Sequence, residues 1–339
     1  MKKIKISILV LVVILLTGCG NSNYIMDDKK PVENEATGQM LQKDILCKPE
    51  DKELDKLYNK YKDQTKVDYN KLPKCSDFKL SSNKSDGIWE GIFVKPLAYL
   101  ILKLGYLLNS FGLSVILIGL AIRLILMPIS RKTMKQSSNM KKAQPELARI
   151  EKKYANKNDN ESMMAKSQEM MMIYKKYNIS PFGSCLLAFI QLPLFFAFLQ
   201  AINRTPAIFE DTFLGLTLGK TPLVGLLEYH EWAYIIIIIL TIATTYLSFK
   251  NAMSTSNSGN PEMDKQMQFM SKFMIIMISV ASLYLSTALA LYWIATNAFV
   301  VVQNFVFKKL DEREDKKDVI IKPKKEKVKK EKRVNKKGN

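Results

Sequence analysis

The chain has 339 residues, 47% of them hydrophobic, yet it carries a formal net charge of +19. Both hold because the two kinds of residue are segregated: long runs are nearly charge-free, and the charges collect between them. That is the layout of a multi-spanning membrane protein and not of a single soluble core. Catalysis finds little support, because the chain has one histidine, His230, and no Gly-rich phosphate loop. Glu228, His230 and Glu231 sit together in "LLEYHEW". A lone loop triplet of this kind reads as a solvated interfacial turn, so we expect no catalytic residue, no metal and no cofactor.

The chain opens on an export signal. Lys2, Lys3 and Lys5 form a basic n-region, "ISILVLVVILL" is a short apolar h-region, and "LTGC" follows at Leu16–Cys19. The apolar run is short for a span, so residues 1–18 read as a signal peptide. A signal ending in Leu-x-Gly-Cys resembles a bacterial lipobox, and that resemblance implies cleavage before Cys19 and a lipid on its sulfur. Residues 19–87 then form an extracytoplasmic, lipid-anchored polar segment. The stretch 20–87 holds 13 Lys and 13 Asp or Glu, with sparse hydrophobics. It predicts a flexible, partly helical chain, with one short helix in "EDKELDKLYNKYKDQ". Cys47 and Cys75 share this segment and either form a disulfide or remain two thiols; the sequence leaves both open. Cys185, in an apolar run, reads as packing.

Residues 88–108, "IWEGIFVKPLAYLILKLGYLL", are apolar but include Lys95, Lys103 and Pro96, with aromatics at 89, 93, 99 and 106. We read an amphipathic helix lying in the membrane interface. A core at 109–307 follows, with spans at about 111–130, 182–203, 232–250, 271–285 and 288–307. The stretch 273–307 has no charged residue and exceeds the roughly 20 residues one span needs, so it predicts a hairpin broken near Ser286–Thr287. Charge orients the spans. The loop 131–180 has 12 Lys or Arg and the tail 308–339 has 15, whereas 204–231 has only Arg204 and Lys220. The positive-inside rule puts the first loop and the C-terminus in the cytoplasm and 204–231 outside. Five spans after an outside N-terminus agree with this; a sixth crossing at 88–108 would not.

Within the loop 131–180, Ala143, Leu147, Ile150 and Tyr154 recur at helical steps, as do Met163, Ser167, Met170, Tyr174 and Tyr177. The polar "ANKNDN" separates them, so the loop predicts a cytoplasmic helical hairpin. Pro145 either kinks the first helix or sits in its opening turn. The tail 308–339, with "KKEKVKKEKRVNKK", is basic and lacks apolar period; it predicts disorder. Such a tail either binds ribosomal RNA or anionic lipid, or only fixes topology.

Three stretches resemble one family. "GLSVILIGLAIRLILMPISRKTMKQSSNMKKAQPELARIEKKY", "IYKKYNISPFGSCLLAFIQLPLFFAFLQAI" and "LYWIATNAFVVVQN" resemble, in order, the first, second and last spans of the YidC-type membrane protein insertases, shared with the Oxa and Alb proteins. The lipobox on a five-span chain resembles the Gram-positive type. The resemblance implies an all-α polytopic fold of five transmembrane helices around a polar groove. It implies an insertase and chaperone, not an enzyme, that helps hydrophobic segments enter the cytoplasmic membrane. The implied partners are nascent membrane proteins, membrane lipid, the Sec translocon and, through the basic tail, the ribosome. The family's groove arginine corresponds to Arg123. One departure stands out: family members usually carry a proline just before "LALYW", where this chain has Ser286 and Thr287.

Arg123 earns attention on physical grounds as well. It interrupts "LIGLAIRLILMPIS", which holds no Asp or Glu, and an arginine deep in hydrocarbon costs about 2.5–3.5 kcal/mol or more. A water-filled recess open to the cytoplasm would hydrate it and attract the acidic tail of a substrate; the other reading is snorkelling or pairing for structure. Gln191 and Asn297 are further groove candidates. Gln200, Thr241, Thr244, Thr245, Gln303 and Asn304 read first as interhelical hydrogen-bonding glue. Met263, Met267, Met270, Met274 and Met277 form a helical stripe, either ordinary packing or a surface for varied apolar partners. The competing function is a solute transporter or channel with Arg123 as an anion site, but no internal repeat is visible.

Overall fold

The computed structural model describes residues 23–35, 38–82, 87–157, 159–180, 183–254 and 261–334. The signal peptide expected at 1–18 and the lipid-attachment residue expected at Cys19 lie outside the described residues. Short antiparallel hairpins pair β1 (Met26–Asp27) with β2 (Lys30–Pro31) and β3 (Glu33–Asn34) with β4 (Gln39–Met40). Then come α1 (Lys52–Lys60), a π-helical turn at Glu90–Val94 running into α2 (Lys95–Leu108), α3 (Phe111–Ile125), α4 (Met127–Lys153), α5 (Asn160–Lys176), α6 (Gly183–Asn203) and α7 (Pro206–Glu210). A third hairpin, β5 (Thr212–Phe213) with β6 (Leu216–Thr217), leads to α8 (Pro222–Leu227), α9 (Ala233–Ser254), α10 (Pro261–Tyr284) and α11 (Thr287–Val334).

The chain divides into two units. One takes residues up to Gly119 with Leu192–Thr241 and Val280–Trp293; the other takes Leu120–Gln191, Ile242–Ser279 and the chain from Ile294 on.

In the first unit, the segment expected to be flexible is instead a folded domain. Ile25, Leu41, Ile45, Leu54, Tyr58, Tyr69 and Leu72 close into one buried core. Cys47 and Cys75 form a disulfide. The helix expected in "EDKELDKLYNKYKDQ" is α1. Asp51 caps it by accepting from Leu54 N at 2.8 Å, and Leu54 and Tyr58, four apart, face the core. Sparse hydrophobics misled because a small domain needs few when a disulfide staples it. Gly38, at φ +66°, lies against Lys220, where a Cβ would come within 3.2 Å of the Lys220 Cα. Only glycine fits both that conformation and that approach.

The hairpin in 273–307 breaks at Leu285–Ser286, between α10 and α11. The first amides of α11 are satisfied by carbonyls of the loop between β6 and α8: Thr287 N donates to Lys220 O at 2.9 Å and Ala288 N to Leu218 O at 3.1 Å. The Thr287 hydroxyl also donates to Lys220 O, at 2.8 Å. These bonds occupy orphan donors of a helix start and make the break without a proline.

In the second unit, α4 and α5 form the hairpin anticipated in 131–180. Ala143, Leu147 and Ile179 are its core, with Met140, Met170, Ile173, Tyr174 and Tyr177 against them. Ion pairs Lys176–Glu146 and Lys166–Glu151 join the two helices in antiparallel order. Pro145 sits inside α4.

Three described helices are long and apolar enough to cross a membrane by length and composition: Glu90–Leu108, Ala233–Lys250 and Thr287–Arg313. The pair Phe111–Ile125 and Met127–Lys153 counts as a fourth if its 56° bend lies within one span. Ile190–Asn203 and Ser271–Tyr284 are apolar but shorter. Among the described residues the count is thus three or four, against the five spans expected from the sequence. It also admits 88–108, expected to lie in the interface, as a segment long enough to cross. The tail differs too. It was expected to be disordered, but α11 continues to Val334, in keeping with the helix propensity of its many Lys and Glu residues.

Candidate functional site

Arg123 lies in the last turn of α3 and is 8% exposed. The expected span 111–130 does not run straight; it bends by 56° at Leu126. The cause is Pro128, at the start of α4. Proline has no N–H for the Leu124 carbonyl, and its ring crowds that carbonyl. The flanking bonds persist, Leu126 N to Ile122 O and Ser130 N to Leu126 O. The guanidinium therefore sits within one turn of a helix end, where carbonyls favour a cation. The side chains around the bend divide by polarity: Leu124 and Ile125 are 54% and 73% exposed, while Arg123 is covered.

The helix α9 repeats this inversion along its length. Thr241, Thr245 and Ser248, at steps of four and three, are buried, while Ile235, Ile236, Ile239, Leu240, Ile242, Tyr246 and Leu247 are exposed. Water would demand the opposite. Polar residues turned inward and apolar ones outward are what a lipid solvent selects. On α11, Thr296 and Gln303 are likewise buried, seven residues apart and so on one face.

The three groove candidates fall in the second unit. Arg123 is buried on α3, Gln191 half-buried on α6 and Asn297 half-buried on α11. The Asn297 amide donates to the Thr245 hydroxyl at 3.0 Å, tying α11 to α9. Thr241 and Ser248 donate back to their own helix, to Ile237 O and Thr245 O. Gln200 belongs to the first unit, where its carbonyl oxygen accepts from Trp89 Nε1 at 3.1 Å. Of the methionine stripe, Met274 and Met277 are half-buried on α10; Met263, Met267 and Met270 lie outside the residues whose side chains are described. On α5, Met163, Met164, Met171 and Met172 are more than half exposed, while Met170 packs inward.

Sequence reasoning missed Arg131, counting it only as a topology charge. Its Nη1 donates to Phe307 O at 3.1 Å, its Nη2 meets Asp311 Oδ1 at 2.9 Å, and the guanidinium lies 5.1 Å from the Phe307 ring centre. It fastens the start of α4 to α11. The usable signal was Asp311, the first acidic residue beyond a charge-free run that reaches Phe307. Among the described residues, no group of three or more His, Cys, Asp or Glu is placed to hold a metal. Glu231 of the loop triplet is engaged by Lys220 Nζ at 2.8 Å.

Comparison with known proteins agrees with this membrane-inverted architecture. The family model described as "60Kd inner membrane protein" matches residues 103–315. The membrane protein insertase YidC of Oceanobacillus iheyensis is 40% identical over 228 residues, covering 66% of this chain and 85% of that protein. Membrane protein insertase YidC 2 of Bacillus anthracis is 35% identical over 226 residues, covering 66% and 83%. Membrane protein insertase MisCA of Bacillus subtilis is 32% identical over 183 residues, covering 54% and 64%. The match spans the bend, the buried arginine and the capped start of α11, and the chain belongs to the 60 kDa inner membrane protein family, the YidC/Oxa/Alb family of membrane protein insertases.

Proposed function

We propose that this protein is an insertase and chaperone that lets hydrophobic segments of nascent membrane proteins enter the cytoplasmic membrane, alone or beside the Sec translocon. The observation that carries the proposal is Arg123, a buried guanidinium at the bent end of an apolar helix, in a chain of this family. Polar side chains on α3, α9 and α11 reduce the cost of bringing a substrate's polar tail to membrane depth. Arg123 attracts an acidic tail, and the apolar segment following it leaves sideways into lipid. Gln191 and Asn297 line the same path. No covalent chemistry is involved.

The same reading sets the topology. Cys19 carries the lipid, the domain 23–82 lies outside, and the hairpin α4–α5 and the C-terminus lie in the cytoplasm, where the basic tail meets the ribosome. The segment 88–108 lies in the interface rather than crossing. Lys95 Nζ donates to Ser82 O at 3.1 Å and the Tyr106 hydroxyl donates to Glu50 at 2.8 Å. These contacts are roughly 16 Å apart along α2. A helix crossing the bilayer would bring only one end within reach of a polar domain; this one is touched at both.

The test is complementation. In cells depleted of their own insertase, wild type restores insertion of a single-span substrate with an acidic exported tail. Arg123→Ala lowers that rate by about tenfold or more, equivalent to losing about 1.4 kcal/mol or more of charge attraction. Arg123→Lys keeps part of it. Failure of stably inserted wild type to support insertion overturns the insertase reading.

A further inference from the structure

The family match begins at residue 103, so it leaves out the domain 23–82, the π-helical turn and the start of α2. Yet these parts are wired to the matched core through one buried charge cluster. Arg204 follows α6 directly and continues its hydrogen bonding, its N–H donating to Gln200 O at 3.0 Å. Its Nη2 meets Asp44 Oδ1 at 2.7 Å and its Nη1 meets Glu90 Oε2 at 3.3 Å. Glu90 Oε1 in turn lies 3.7 Å from Lys95 Nζ. Two cations and two anions balance. All are largely covered: the Lys95, Glu90, Arg204 and Asp44 side chains are 2%, 8%, 11% and 23% exposed.

Backbone contacts extend the cluster into a register. Leu46 N donates to Arg204 O at 2.8 Å. Glu50 N and Asp51 N donate to the two carboxylate oxygens of Glu210, each at 3.3 Å. The segment 44–51 therefore runs alongside 204–210. Trp89 reaches Gln200 one turn earlier on α6.

We propose that the domain 23–82 is a brace that sets the height and rotation of α6 for insertion, and that Arg204 is the positioning residue through which it acts. The argument rests on the insertase reading. Between Cys185 and Ile202, α6 is apolar apart from Gln191 and Gln200. A helix in lipid has its tilt and rotation set by packing and by anchors at its ends. The planar guanidinium, held at once by Asp44 and Glu90, restrains both, as a lysine point charge would not. Partners from the extra domain and from the π-helical turn make the restraint specific to this architecture. Breaking it leaves the domain folded on its own core and disulfide, but uncouples it from α6.

The experiment compares wild type, Asp44→Ala and Arg204→Ala at equal membrane levels in insertase-depleted cells. A fourth variant, Asp44→Cys with Arg204→Cys, is assayed before and after bridging by a short thiol–thiol crosslinker. Both alanine variants are expected to insert substrate at least fivefold more slowly. Their domain 23–82 resists limited proteolysis as in wild type, which reports an intact domain. Bridging the double cysteine variant restores most of the rate, with the protease resistance of domain 23–82 the same before and after bridging, so that the gain comes from the restored link and not from a stabilised domain. Undiminished insertion by Asp44→Ala beside active wild type overturns the brace alone, as does a bridged variant that stays slow. Inactive wild type counts against the insertase reading instead.

Discussion

The two units spend their polar groups differently. In the first, charges are held in fixed, long-range contacts: Asp44, Glu90, Lys95 and Arg204 in one cluster, Lys220 with Glu231, Asp211 accepting from Phe111 N. Aromatic rings stack there as well, Phe198 on Tyr292 and Phe195 on Trp293. In the second, a buried arginine and buried hydroxyls and amides sit inside apolar helices, and four methionines of α5 face outward. The first arrangement fixes geometry. The second turns polar side chains inward and flexible apolar ones outward. The first unit is tied by a disulfide and a buried charge cluster, the second by a small apolar hairpin core and the Arg131–Asp311 pair.

The contrast breaks most readily where the first unit is stapled. Replacing Cys47 by Ser opens a link spanning 28 residues of sequence and is expected to cost the domain 23–82 about 3–4 kcal/mol. Hydrogen exchange in detergent should rise across Ile25–Leu72 and stay unchanged across the α4–α5 hairpin. Equal loosening of both would mean the units are one cooperative block. The mirror experiment is Leu147→Ala. Leu147 is fully buried in the small hairpin core, so the expected loss is about 2–4 kcal/mol. Exchange should then rise in α4 and α5, leaving the disulfide-bonded domain protected.

These two sites also mark what the sequence made legible. The hairpin was readable because Ala143, Leu147 and Ile150 repeat at helical spacing over enough turns to stand out. The sequence reads Thr245 first as glue and Asn297 as a groove candidate, and the hydrogen bond between them joins the two. The N-terminal domain was not readable. Its core residues come from 25, 41, 45, 54, 58, 69 and 72, with no common period, and only three-dimensional closure assembles them. The Arg204 cluster was hidden for the same reason: Asp44 and Arg204 are 160 residues apart. Arg123 was visible from local chemistry alone, because its cost in lipid depends on the surrounding run and not on distant partners.

Acid tests the first unit's docking through Glu210. Burial pushes its carboxyl from 4.5 up to about 7. A group with a raised folded pKa binds its proton more tightly when docked. Its contribution is therefore full below about 4.5 and is lost as pH rises to 7. The melting temperature of the purified protein should fall over that window. Glu210→Gln should flatten the slope while sparing the hairpin. A slope of opposite sign would mean that the two backbone donors at Glu50 and Asp51 outweigh burial.

The smallest expected effect sharpens the second unit. Asn297→Ala removes the bond to Thr245, and Thr245→Val removes it from the other side with little change in shape. In a double-mutant cycle the coupling should be about 0.6 kcal/mol, the usual size for such bonds between membrane helices. The unfolded reference in detergent also finds partners for both groups, which is why the figure stays small. Insertion by Asn297→Ala should then fall far less than by Arg123→Ala. If instead Asn297→Ala slows insertion severely while Thr245→Val does not, the amide acts on the substrate. Asn297 would then contact substrate as directly as Arg123 rather than lining the path while it holds α11 to α9.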